Sequence, residues 1–234
     1  MSKKVGIIGA MSVELELLKS KLEENSAVTK AGGMTFTEGK INGSSVVLVQ
    51  SGVGKVNAAL CAQRLILQFG CTHIINTGIA GAMASGLKVL DFVASTDAVY
   101  HDMDATGFGY KKTEIPQMKC SDFPADSKML EAARSAFKEF PAEHKLVFGR
   151  IATGDQFISD KEKKSAIQET CSPACVEMEG AAVAHACWIN EIPFVIIRCM
   201  SDMADDDGES TYSFNENEAA SLSGSLVLSM LGRF

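Results

Sequence analysis

A strand–helix–strand unit over residues 174–202 constrains the fold of this chain more than any other stretch. A short apolar run ends in the acidic triplet Glu177-Met178-Glu179, and small residues from Gly180 to Ala186 then suit a helix packed closely on a sheet. A second apolar run begins at Pro193 and ends at Ser201-Asp202. Sheets of α/β proteins bind ligands at the exits of such strands. The carboxylates at both exits therefore predict a functional site.

Apolar runs and amphipathic stretches elsewhere predict alternating strands and helices. The predicted strands lie at residues 4–10, 34–41, 45–50, 73–78, 89–103 and 146–155. The predicted helices lie at residues 11–24, 55–69, 126–139, 160–169 and 214–231. Such alternation is typical of a sheet covered by helices on both faces. The sequence predicts an α/β fold, a three-layer α/β/α sandwich with a mixed central sheet, in one domain over residues 1–234.

Turn and loop signals add local detail to these elements. Asn42-Gly43 lies between two apolar runs and is typical of a β-hairpin, and Asp126 is a suitable N-cap for the helix that follows it. In the predicted loop 79–86, glycines allow the backbone to approach a ligand. The irregular segment 104–124 contains exposed-looking aromatic residues such as Phe108, so we expect it to act as a lid or a contact surface.

The charge balance limits the partners of this chain. Its net charge is -7, whereas nucleic acids and anionic membranes require a basic surface. We therefore expect neither as a partner, and a small neutral or cationic ligand fits better. The N-terminal apolar run is too short for a signal peptide, and no run approaches the roughly 18 residues of a membrane-spanning helix.

The cysteines indicate a reducing compartment. The seven cysteines are scattered and form no CxxC pair, and several lie in apolar runs, where cysteine behaves as a small buried hydrophobe. No histidine lies near Cys171 and Cys175 in the sequence to complete a zinc site. We expect reduced core thiols in a cytoplasmic protein, with no metal and no cofactor.

Several residues allow two interpretations. Glu14 is either an acid stabilised by a helix N-terminus or a functional group, and His101 is more simply structural than an acid–base group. Arg198 lies inside an apolar strand and needs a partner, for which Glu14 and Glu177 are the candidates. The acidic run 203–210 is most simply a solvated turn, although its carboxylates could also bind a divalent cation.

The segment SGVGKVNAAL over residues 51–60 is only superficially similar to a phosphate-binding loop. Val49 occupies the position of the first glycine of that motif, and Val56 replaces the Ser or Thr that would bind a metal. The sequence therefore excludes a Walker A site here.

Seven motifs in register resemble those of one enzyme family. They are GIIGAM with Glu14, SGVGKVNAA, NTGxAG, YHDxD, GDxFI at 154–158, VEMEG, and RxxSD at 198–202. Their order and spacing resemble the 5′-methylthioadenosine/S-adenosylhomocysteine nucleosidases nearly end to end. The resemblance implies a nucleoside-phosphorylase-like α/β/α sandwich, a homodimer, and hydrolysis of the bond between adenine N9 and the ribose anomeric carbon.

The resemblance also implies residue roles. Asp202, oriented by Ser201, would be the general acid that protonates adenine N7, and Glu14, beside Arg198, would be the base that activates water. Glu179 would accept hydrogen bonds from ribose hydroxyls. The other residues implied to bind the substrate are Met178 under the sugar, Gly81 in the glycine-rich strand exit, Phe157 and Ile158 at adenine, Met11 and Phe214 at the sugar and alkylthio group, and Phe108 and Pro116 from the neighbouring subunit.

One position departs from the family pattern. Ile79 stands where the family commonly has serine near the water or phosphate position, so phosphorolysis is disfavoured and water is the expected nucleophile. Three alternatives remain: a purine nucleoside phosphorylase, a futalosine-type hydrolase of another purine nucleoside, and a non-catalytic nucleoside-binding protein. The pairing of Glu14 with Asp202 argues against the last, because a binding protein needs no acid and base.

Overall fold

A computed structural model describes residues 3–24, 26–205 and 208–234, which are built around a ten-stranded sheet. The strands are β1 (Val5–Gly9), β2 (Ala27–Ala31), β3 (Met34–Ile41), β4 (Ser44–Gln50), β5 (His73–Ala82), β6 (Phe92–Tyr100), β7 (Phe123–Pro124), β8 (Leu146–Thr153), β9 (Cys175–Glu177) and β10 (Phe194–Asp202). The helices are α1 (Val13–Ser20), α2 (Lys55–Leu67), α3 (Ser127–Phe137), α4 (Lys161–Cys171), α5 (Gly180–Ile189) and α6 (Gly208–Met230).

Strand β5 joins the two halves of the sheet and pairs with three other strands. Its first half is parallel to β1, its last two residues are antiparallel to β9, and β10 is parallel to it along the other edge. Strand β10 also pairs with β6, β6 with β8, and β8 with β9. The five strands β5, β10, β6, β8 and β9 thus close into a ring, while β4, β3 and β2 extend the sheet beyond β1. The predicted mixed sheet is confirmed, with one half closed on itself.

Helices cover both faces of the sheet, which confirms the three layers. Adjacent strand residues such as Ile7 and Ile8, or Ile196 and Ile197, belong to different apolar clusters because successive side chains point to opposite faces. One cluster includes residues of α1, α3 and α6, and the other includes residues of α2 and α5. Within the part of the chain that is described, no helix has the length and apolar character needed to cross a membrane.

Two local predictions are confirmed. Asn42 and Gly43 join β3 to β4 with φ angles of 50° and 74°, the left-handed pair that a two-residue hairpin turn requires. Asp126 caps α3, because its side chain accepts hydrogen bonds from the backbone N–H groups of Lys128 and Met129, each at 2.9 Å.

The largest error in the predicted elements lies in β5, which continues to Ala82 where a loop from residue 79 was expected. Its end is held by pairing with β9 and β10, strands that are distant in the sequence. Strands β2 and β7 were not predicted. Strand β6 and helix α1 are shorter than predicted, and α6 begins at Gly208, before the predicted start.

Candidate active site

A cavity of about 470 Å³ lies where β1, β5, β9 and β10 end. Eight of the residues predicted to act on or bind the substrate line it: Met11, Glu14, Gly81, Phe157, Met178, Glu179, Ser201 and Asp202. Ile158 lines a smaller adjoining cavity that shares Gly81, Phe157, Met178 and Asp202 with the first. Residues far apart in the sequence therefore meet at one end of the sheet.

Glu14 is held at the start of α1 by three backbone donors. Its Oε2 accepts hydrogen bonds from the N–H groups of Ala10 and Met11 at 2.6 and 2.9 Å, and its Oε1 accepts one from Ile79 at 3.1 Å. The side chain is buried, which raises the pKa of its carboxyl, while the nearby Arg198 and the three N–H groups lower it. The donors fix the carboxylate at the inner wall of the cavity.

Gly78 makes room for this arrangement. A Cβ atom there would lie 2.2 Å from Glu14 Oε1 and 3.0 Å from Arg198 Nη1. Gly78 therefore lets two buried side chains pass close to β5.

Asp202 ends β10 at an irregularity in the sheet. Met200 pairs with Ala80 and Asp202 with Gly81, so Ser201 is an extra residue that redirects the strand. Asp202 Oδ2 accepts from Ser201 Oγ and Oδ1 accepts from the Ala204 N–H, both at 2.8 Å. Burial raises the pKa of the Asp202 carboxyl, and these two hydrogen bonds oppose that rise.

Glu177 and Glu179 differ in function although they are two residues apart. Strand β9 ends at Glu177, so the chain turns before Glu179 and both Met178 and Glu179 reach the cavity. Glu177 Oε2 accepts from the N–H groups of Glu179 and Gly180 at 3.1 and 2.7 Å. It therefore caps the start of α5, with a further hydrogen bond from Thr153 Oγ1.

Glu179 is the carboxyl of this pair that is available to a ligand. Its Oε1 accepts from the Gly54 N–H at 2.8 Å, and its Oε2 lies 3.9 Å from Arg198 Nη2. Burial and the charge of Glu177 raise the pKa of Glu179 to about 7, despite the opposing effect of Arg198 and the Gly54 N–H.

Arg198 lies beneath the cavity, fully buried. Of its two candidate partners, Glu177 is the one that it contacts through Nη2, which also donates to Asn76 Oδ1 at 2.6 Å. Glu14 is nonetheless close enough for the charge of Arg198 to lower its pKa. One cation thus serves Glu14, Glu177 and Glu179, which offsets part of the repulsion among three buried carboxyls.

Aromatic and apolar groups form the outer wall. Phe157 and Tyr212 make an edge-to-face contact with ring centroids 5.6 Å apart. The Tyr212 hydroxyl lies 3.5 Å from Met11 Sδ and donates to Glu216 Oε1 at 3.1 Å. The sequence interpretation missed Tyr212, and no spacing signal distinguished it from other residues of the last helix.

Besides Arg198, three of the site residues predicted from the sequence do not line the cavity of this chain. Phe108 and Phe214 are 87% and 88% exposed, and Pro116 lies in the irregular segment between β6 and β7. The predicted contact of Phe108 with a neighbouring subunit stays a prediction. Phe214 lies on α6 next to the cavity residues Tyr212 and Ser213.

Other polar groups considered in the sequence lie outside the cavity or outside the described residues. His101 follows β6 and packs over Gly154, where a Cβ would lie 2.3 Å from its ring. No cluster of three metal-ligating side chains occurs among residues 3–24, 26–205 and 208–234. The acidic run considered as a cation site includes Asp206 and Asp207, which lie outside the described residues.

Comparison with known proteins places the chain in a family. The family model described as the phosphorylase superfamily matches residues 4–232. A 5′-methylthioadenosine/S-adenosylhomocysteine nucleosidase of Staphylococcus haemolyticus is 41% identical over 97% of this chain and 98% of its own length.

Solved structures agree with this likeness. A 5′-methylthioadenosine/S-adenosylhomocysteine nucleosidase of Colwellia psychrerythraea in complex with adenine is 41% identical, with a TM-score of 0.95 over 100% of this chain and 96% of that one. A futalosine hydrolase mutant of Helicobacter pylori is 27% identical, with a TM-score of 0.94 over 100% of both chains. Proteins with either activity share this fold. The sequence identity of this chain is higher with the nucleosidase, at 41%, than with the futalosine hydrolase mutant, at 27%.

Proposed function

The chain belongs to the phosphorylase superfamily and, within it, to the 5′-methylthioadenosine/S-adenosylhomocysteine nucleosidases, and from this premise we propose how its cavity works. The enzyme hydrolyses the adenine N-glycosidic bond of 5′-methylthioadenosine and S-adenosylhomocysteine, releasing adenine and the thioribose product. The observation that carries the mechanism is a pair of buried carboxyls, Glu14 and Asp202, that line one cavity with different sets of hydrogen-bond donors.

Asp202 is the general acid in this proposal. Adenine leaves as a neutral base only if a proton reaches N7 as the glycosidic bond breaks. Burial raises the pKa of Asp202 and so favours the protonated form that this step requires. Ser201 positions the carboxyl through its hydrogen bond to Oδ2.

Glu14 is the base that orients and deprotonates water. The reaction needs Glu14 as a carboxylate, and its three backbone donors favour that charged form against the burial that raises its pKa. The nearby Arg198 has the same effect on its charge. The water that Glu14 activates would attack the anomeric carbon from the face opposite adenine.

The sugar and base are held by the remaining lining residues. Glu179 accepts hydrogen bonds from ribose hydroxyls, and its charge stabilises the oxocarbenium-like transition state. Met178 packs beneath the sugar, with Gly81 at the strand exit. Phe157 stacks on adenine and the backbone of Ile158 contacts the purine edge, while Met11 and Phe214 line the sugar and alkylthio region.

Water, and not phosphate, is the nucleophile in this proposal. Four carboxyl residues line the cavity, namely Glu14, Glu177, Glu179 and Asp202, and carboxylates repel a phosphate anion. Ile79, which also lines the cavity, supplies no side-chain hydroxyl for phosphate.

A homodimer completes the site in this proposal. Val56, Leu60 and Leu67 form an exposed apolar stripe along α2, with relative exposures of 55–71%, and Trp188 and Ile189 are exposed at the end of the neighbouring helix α5. Apolar patches of this kind are typical of protein interfaces. Phe108 and Pro116 would then close the alkylthio end of the neighbouring subunit's cavity.

We also propose a domain organisation, a cellular location and a pathway for this chain. Residues 1–234 form one nucleosidase domain, which the single sheet supports. A cytoplasmic location is supported by seven free cysteines, six of which are buried. The pathway proposed for this enzyme is methionine salvage, which release of adenine from methylthioadenosine would serve.

Adenine release tests the function directly. We expect release from methylthioadenosine and S-adenosylhomocysteine at the same rate in phosphate-free buffer and in phosphate buffer. A requirement for phosphate, with formation of a ribose 1-phosphate product, would instead establish a phosphorylase. Faster turnover of futalosine than of either adenosine derivative would assign the futalosine-type activity.

A further inference from the structure

A cluster of charged side chains lies beside the cavity and has no part in the chemistry described so far. Lys55 Nζ is 2.5 Å from Asp102 Oδ2 and 3.6 Å from Asp155 Oδ2. Backbone groups of the same residues close the cluster: the Lys55 N–H donates to Asp155 Oδ1 at 2.9 Å, and the Asp155 N–H donates to Asp102 Oδ2 at 3.1 Å. Three segments, at the starts of α2, after β6 and after β8, are thereby tied together.

The cluster adjoins the residue that would bind the ribose. Gly54 directly precedes Lys55, and its N–H donates to Glu179 Oε1 at 2.8 Å. Gly54 has a φ angle of 99°, in the region that favours glycine, and a Cβ there would lie 3.2 Å from Asp155 Oδ1. The turn at 52–54 is therefore held from the side by the same aspartate that binds the backbone of Lys55.

We propose that Lys55, Asp102 and Asp155 are positioning residues that hold the Gly54 N–H on Glu179 and thereby align Glu179 for the ribose hydroxyls. The inference rests on the proposed role of Glu179 and extends it to three residues that do not line the cavity. Without the cluster, the turn loses the ties that fix the direction of the Gly54 N–H. Glu179 then keeps the guanidinium of Arg198 at 3.9 Å but loses the hydrogen bond from the Gly54 N–H.

The charge state of Glu179 should report this loss. The charged groups that face it are Glu177 on β9, Arg198 on β10 and Glu14 on α1, and the Gly54 N–H favours its carboxylate. Release of the N–H raises the pKa of Glu179 further above about 7. Because Glu179 accepts hydrogen bonds only as a carboxylate in this role, the acidic limb of the kcat/KM profile should move to higher pH.

The test compares Asp102→Asn and Lys55→Met with a matched ion pair elsewhere. Arg150 and Asp97 form a pair of similar exposure, 32% and 18%, against 26% and 17% for Lys55 and Asp102, and neither lines the cavity. Asp97→Asn is therefore the control. For methylthioadenosine we expect kcat/KM of the two cluster variants to fall about tenfold, mainly through KM, since a hydrogen bond to a charged group is lost. Asp97→Asn should retain the wild-type values.

Deoxy substrates identify the cause of the fall. With 2′-deoxy or 3′-deoxy methylthioadenosine, the analogue that lacks the hydroxyl bound by Glu179 should show little difference between wild type and the cluster variants. An equal loss on all three substrates, or no shift of the acidic limb, would overturn the inference.

If Lys55→Met unfolds, Lys55→Arg preserves the charge and should restore KM towards the wild-type value. Wild-type protein that releases no adenine at all would refute the proposed function, whereas active wild type with unaffected cluster variants would refute only this inference.

Discussion

Glu14 and Asp202 are two buried carboxyls on the same cavity, and their surroundings differ in the donors that they offer. Glu14 accepts three backbone hydrogen bonds and lies near a buried arginine. Asp202 accepts one backbone and one hydroxyl hydrogen bond, and the nearby Asp205 further favours its protonated form. Burial raises the pKa of both, and a cation opposes the rise at each: the buried Arg198 at Glu14 and Lys164 at Asp202.

This difference explains how one cavity can hold an acid and a base at the same pH. Desolvation alone would protonate both carboxyls. Donors and a cation favour the ionised form at one end, whereas a poorer donor set leaves the other end suited to carry a proton. The division of labour therefore lies in the hydrogen bonds around each residue and not in the residue type.

Asp202→Asn should give the largest effect. The amide occupies similar space but cannot transfer a proton to adenine, so we expect adenine release from methylthioadenosine to fall about 10³–10⁴-fold. Binding of adenine, measured by calorimetry, should persist. Wild-type turnover in this variant would remove Asp202 from the mechanism.

Glu14→Gln should be somewhat less severe, with a loss of about 10²–10³-fold, because water can still approach an oxocarbenium-like centre without a base. Single-turnover kinetics with methylthioadenosine measure the chemical step. If Glu14 were only a helix-end acid, the variant would lose about 0.3–1 kcal/mol of stability and little activity.

Gly78→Ala would disturb the Glu14 end without changing any polar group. The added methyl would collide with the Glu14 carboxyl and crowd Arg198, so we expect a loss of about 1–3 kcal/mol of stability and a fall in kcat of about tenfold, in line with the misplacement of a base.

Gly224→Ala is the matched control for this prediction. Gly224 lies in α6, and a Cβ there would lie 3.7 Å from Leu17, an ordinary contact. This variant should be as stable as wild type or gain about 0.5–1 kcal/mol in thermal denaturation. Equal behaviour of the two alanine variants would show that Gly78 does not protect the position of Glu14.

The smallest expected effect is a shift in pH dependence. Glu14 and Glu179 both act as carboxylates with raised pKa values, so activity should be lost as the pH falls through those values. Asp202 acts as an acid with a raised pKa, so activity should be lost as the pH rises through its value. Ser201→Ala removes a donor to the Asp202 carboxylate, and the alkaline limb of kcat should move to higher pH by about 0.5–1 unit. A shift of the alkaline limb to lower pH would contradict the assignment.

Local sequence signals predicted the parts of the fold that depend on neighbouring residues. The Asn42-Gly43 turn, the Asp126 cap and the strand–helix–strand unit around α5 were all readable, because turn chemistry, capping and apolar spacing act over a few positions. The extension of β5 to Ala82 was not predicted, since it depends on pairing with β9 and β10, about a hundred residues away in the sequence.

The candidate site shows the same division. The resemblance to known motifs placed eight residues that do meet at one cavity. It did not reveal that Glu177 caps α5, or that Gly54 donates to Glu179. The Gly54 contact joins segments 125 residues apart, which no local residue pattern predicts.

An activated leaving group separates the acid from the base most directly. A p-nitrophenyl 5-methylthioriboside needs no proton for departure of its phenolate, yet still needs water delivered to the anomeric carbon. With this substrate, we expect Asp202→Asn to approach wild-type turnover while Glu14→Gln remains impaired. Equal impairment of both variants on the activated substrate would contradict proton donation by Asp202 and, with it, the division of roles between the two carboxyls.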